Sequence, residues 1–105
     1  MSKLQKSIDN CGYNPKLRGT WYLADAARIM ARDRKAAMCK EVYPTIAAAC
    51  GTSAGAVERA IRGATQSAMR SLAWRAGWAD LGGHAEDRPT NGEVVARFAR
   101  VANED

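Results

Sequence analysis

The chain has 105 residues, 21 of them alanine, and its 16 Lys and Arg against 11 Asp and Glu give a formal net charge of +5. That length suits one domain with one modest core, and a hydrophobic fraction of 47% excludes wholesale disorder. No apolar run nears the roughly 18 residues of a membrane span and no signal-peptide pattern opens the chain, so a cytoplasmic protein is expected.

Alanine-rich composition with few β-branched residues predicts helices. Leu4, Ile8 and Cys11 recur at helical spacing after Ser2, giving a short first helix that ends at Gly12. Asn14 and Pro15 then make a turn. Thr20 is a good N-cap for a long second helix over residues 20–38, whose apolar set includes Leu23, Ala26, Ala27, Met30 and Met38. Arg28, Arg32 and Lys35 form a basic stripe on it, which either contacts phosphates or faces water. Pro44 suits the start of a short third helix, Pro44 to Cys50, with Tyr43 before it held out of helical geometry and Gly51 as the stop. Thr52 or Ser53 caps a fourth helix through Val57, Ala60, Ile61 and Ala64, reaching about Arg70. Residues 72–81 carry Trp74 and Trp78 at i, i+4 and make a fifth. After a loop over residues 82–88, Thr90 and Glu93 form a capping box opening the last helix, with Val94, Val95, Phe98 and Val101 on its apolar face.

Three cysteines, Cys11, Cys39 and Cys50, with one histidine, His84, and no Cys-x-x-Cys spacing argue against zinc and against a disulfide framework. Small buried hydrophobes are their expected state. The aromatic residues Trp21, Tyr22, Trp74, Trp78 and Phe98 are assigned to the core. No paired carboxylates, glycine-rich phosphate loop or metal cluster points to an enzyme, and no cofactor is expected.

The informative stretch runs from Ile46 to Arg62 and reads as a helix-turn-helix. Ala47 is the small crossing residue, Gly51 supplies the left-handed turn, and Ile46, Cys50, Val57 and Ile61 are the apolar contacts. Gly55, Glu58, Arg59, Arg62 and Gln66 then lie on the outer face of the second helix. Arginine can bind guanine O6 and N7 with two hydrogen bonds, a carboxylate can accept from cytosine N4, and the helix start with Thr52 and Ser53 suits a phosphate. The alternative for Glu58 and Arg62 is an ordinary surface ion pair. The excess charge lies between residues 16 and 62, which carry +5, while residues 63 onward sum to −1. This suggests a polyanion facing the first two-thirds of the chain, the alternative being a solvated basic surface; the helix-turn-helix pattern makes double-stranded DNA the expected partner.

Val42-Tyr43-Pro44-Thr45-Ile46-Ala47, Val57-Glu58-Arg59-Ala60-Ile61-Arg62, Arg88-Pro89-Thr90-Asn91-Gly92-Glu93 and, more loosely, Gly19-Thr20-Trp21-Tyr22-Leu23 resemble the C-terminal effector domain of the sporulation initiation response regulator, stage 0 sporulation protein A. The resemblance spans nearly the whole chain. It implies an all-α domain of about six helices, a transcription regulator that binds boxes with a TGTCGAA-like core as head-to-tail dimers through its last helices. It also implies that Glu58, Arg59 and Arg62 read bases and phosphates. Gly55 and Ala56 stand where the family usually has larger polar residues, and Gly63 where it often has histidine. The family's phosphorylated receiver domain has no room in a chain of 105 residues, so a single effector domain over 1–105 is expected, natural or a fragment. The alternative reading is an interaction module that dimerises with and antagonises a full-length regulator, using Val94, Val95, Phe98 and Val101 as its interface.

Overall fold

The computed structural model describes residues 2–104. Among them the chain is all-α. Six α-helices follow in order: α1 Lys3–Asn10, α2 Arg18–Arg32, α3 Tyr43–Cys50, α4 Ala54–Met69, α5 Trp74–Asp80 and α6 Asn91–Ala102, with a π-helical turn over Met38–Val42 leading into α3. α2 is central, packing on both α4 and α6, while α1 closes against α6 and α5. The core comprises Leu4, Ile8, Leu23, Ile61, Trp78 and Phe98 among others, all nearly or fully buried. Tyr13 meets Phe98 edge-on at 5.8 Å and donates or accepts a 2.8 Å hydrogen bond with buried Thr65, tying the loop after α1 to α4 and α6. Burial raises the Tyr13 phenol above its ordinary range.

Several boundaries differ from those the sequence predicts. α2 starts at Arg18 behind Leu17, and Thr20 is no cap: it is buried and its hydroxyl donates to the Asn14 carbonyl at 2.7 Å. Within this first turn a Cβ on Gly19 would overlap the Ala60 carbonyl oxygen; only glycine lets α2 and α4 approach this closely. α2 stops at Arg32 rather than near residue 38. Asp33 turns the chain, its side chain accepting the Lys35 N–H at 3.0 Å in an Asx turn that competes with helix. Tyr43 is helical, with φ −61° and ψ −46°, despite Pro44 after it. The wide turn ahead of Pro44, where Glu41 and Val42 both donate to Ala37 O, separates the ring from carbonyls that a regular helix would press against it.

Other residues change sides. Trp21 is 57% exposed, not core, with its indole N–H donating to Pro15 O at 2.8 Å. Its spacing to Arg28 and Arg32, seven and eleven positions, places it on the solvent stripe of α2. Trp74 and Trp78 are buried and stacked, with ring centroids 4.9 Å apart. Of the cysteines only Cys11 is buried, and burial pushes its thiol up to about 12; Cys39 and Cys50 are exposed. Cys50 therefore does not help to pack the helix pair.

Candidate DNA-binding surface

α3 and α4 form the predicted helix-turn-helix. Ile46, Ala47, Val57 and Ile61 are buried between the helices and the core. Gly51 sits in the left-handed region at φ 67°, ψ 39°, where a side chain would be strained. Its amide and that of Thr52 both return to Ala47 O, closing α3. Ser53, not Thr52, is the N-cap of α4, its hydroxyl accepting the Ala56 N–H at 3.1 Å. The amides of Ala54 and Gly55 precede any intrahelical acceptor, so they point out of the helix start.

Gly55, Arg59, Arg62 and Gln66 are exposed along one side of α4, and Glu58 and Thr52 are half-buried. Arg62 donates to Glu58 Oε1 one turn back, which orients both groups. The Arg59 guanidinium folds along the helix toward the start: a Cβ on Gly55 would lie 3.1 Å from its Nη1. Glycine at 55 thus leaves space for Arg59 beside the free amides. Along its exposed side α4 presents backbone donors and a serine cap at its start, then two guanidiniums and a carboxylate, and the Gln66 amide nearer its end, a donor-rich set suited to phosphates and base edges.

Asn91, quoted only as part of a motif in the sequence, holds this helix in place. Its Nδ2 donates to Tyr43 OH at 3.1 Å and to Glu58 O at 3.0 Å, joining the first residue of α6 to both helices of the motif. Tyr43 is buried, which raises its phenol. The partners are 48 and 33 positions away, so only the fold reveals the role. Thr90 and Glu93 make the reciprocal capping box that starts α6 at this point.

The remaining predicted residues lie elsewhere. Arg28 and Arg32 border Ala102 and Asn103 at the C-terminal end of α6, whereas Glu58 and Arg62 border its N-terminal end. Lys35 lies beyond α2 altogether, so the three make no common stripe. Val94, Val95 and Phe98 are fully buried in the core and Val101 is half-buried. A side chain with no exposed surface cannot meet a partner, so Val94, Val95 and Phe98 are not a dimer face, and of the surface named for the interaction module only Val101 stays accessible.

Residues 4–101 match the family described as the C terminal of sporulation initiation factor Spo0A. The chain belongs to that family. Spo0A C-terminal domains are DNA-binding sporulation regulators, not a family of enzymes. Among the described residues, no helix is long and apolar enough to cross a membrane.

Proposed function

We propose that this Spo0A C-terminal domain is a sequence-specific transcription regulator that inserts α4 into the DNA major groove. The observation that carries the reading is the exposed face of α4, where Arg59, Arg62 and Gln66 stand clear of the core on a helix whose capped start also points outward. Arg59 and Arg62 read guanine edges, Glu58 is placed to accept from a cytosine amine, and Thr52, Ser53 and the Gly55 amide approach a phosphate. Asn91 positions α4 and touches no base. Two copies bind neighbouring boxes, and surfaces other than Val94, Val95 and Phe98 bring them together.

Selection of bound duplexes from a random pool supplies the box for the test. Arg59→Ala then weakens binding to that box at least about fivefold, the lower bound of one bidentate base contact of about 1–3 kcal/mol, and relaxes preference at one position. Helix content stays unchanged because Arg59 is exposed. An Arg59→Ala variant with parental affinity and preference would overturn this placement of the recognition helix.

A further inference from the structure

A groove of about 530 Å³ opens beside the recognition face, between the C-terminal half of α4 and the loop entering α6. Arg62, Gln66, Arg70, Arg88 and Asn91 border it, and none of its lining residues is acidic. Arg70 and Arg88 are both exposed, and among the described residues neither has a carboxylate within ion-pair distance. They come from different elements, the end of α4 and the loop, and face one opening.

Distance decides what this opening can reach. Arg70 is eleven residues beyond Arg59, about 16 Å along the helix axis at about 1.5 Å per residue. The major groove is only about 12 Å wide. With Arg59 at a base edge, Arg70 therefore lies past the base pairs, over a sugar-phosphate strand. The end of α4 carries the partial negative charge of its free carbonyls and would by itself repel a phosphate, so cationic side chains have to supply the attraction.

We propose that Arg70 and Arg88 form a clamp for one backbone phosphate of the strand flanking the bases that α4 reads. The proposal rests on the major-groove reading and adds to it a contact that fixes register without reading sequence.

The test is a salt titration of the selected box and of a scrambled duplex with the Arg70→Ala/Arg88→Ala double variant. Expected is an equal loss on both duplexes, at least threefold, and a log–log salt slope shallower by about 0.9, the value for one lost phosphate contact. Replacing that phosphate by a neutral methylphosphonate weakens the parent similarly and the double variant no further. The lysine pair, Arg70→Lys/Arg88→Lys, retains the slope because the charge is kept. A double variant with the parental slope, while Arg59→Ala still relaxes base preference, would overturn the clamp and leave the major-groove reading standing. A parent that binds no duplex even at low salt would overturn both. Saturable binding of inorganic phosphate that the double variant loses, with duplex affinity untouched, would give the groove to a free anion and overturn the clamp.

Discussion

The two ends of α6 are both rich in arginine and differ in what those arginines do. At its N-terminal end Arg62, Arg70 and Arg88 gather around one groove; the start of α6 adds positive partial charge there, while the end of α4 adds a negative one that the arginines outweigh. At the other end α2 and α6 both finish, with Arg32 and Arg100 in their last turns offsetting the negative partial charge there. Arg28 is further paired with Asp25 at 3.6 Å. One end is left attractive to anions and the other is largely self-compensated. Among the described residues, the same residue type thus stands without a carboxylate partner at Arg70 and Arg88 at one end and offsets helix termini at the other.

Four substitutions break or sharpen this contrast. The largest effect is expected from Phe98→Ala, in the middle of the helix that separates the ends. Truncating a fully buried aromatic costs about 3–5 kcal/mol, read from the midpoint of a urea transition. Out of a total stability of about 5–15 kcal/mol, that depletes the folded, binding-competent population. Next, Asn91→Ala removes two hydrogen bonds at about 0.5–1.5 kcal/mol each and loosens α4 from α6. Both stability and affinity for the box fall; affinity held at the parental value would show that α4 needs no support from α6. Gly63→Ala acts in the opposite direction. A Cβ at that exposed helical position meets open space, so thermal unfolding shifts upward by the equivalent of about 0.5–1 kcal/mol. The smallest effect belongs to Arg28→Ala/Arg32→Ala, which changes stability by less than about 0.5 kcal/mol and leaves the salt slope of DNA binding unaltered. A slope reduced by about 2 would place DNA at both ends and erase the contrast.

What could be read from the amino acids follows the range of the interactions involved. The start of α6, the Gly51 turn and the Ser53 cap rest on contacts within five residues, and each lies where local chemistry predicts. The exposed row on α4 is equally local, since helical spacing alone groups Arg59, Arg62 and Gln66. Thr20 misled because a short hydroxyl serves equally as a cap or as a donor to a passing carbonyl, and here the Asn14 carbonyl six positions back takes it. Asp33 likewise held a hidden stop signal, its Asx turn outweighing the helical pattern that continues to Met38. Val94, Val95 and Phe98 show a different gap. An apolar helix face says that something covers it, and which element does so is a tertiary fact. The separation of Arg28 and Arg32 from α4 is of the same kind, since a running charge count carries no direction in space.

α1 packs on α6, so two helices far apart in the described sequence complete each other. α6 also supplies Asn91 to α4 and its apolar face to α2. Until α6 is in place, the apolar faces of α1 and α2, with Leu4, Ile8 and Leu23, lack their full cover. A chain cut before Asn91 would carry the arginines of α4 on a helix that has lost both its tether and its packing against α6.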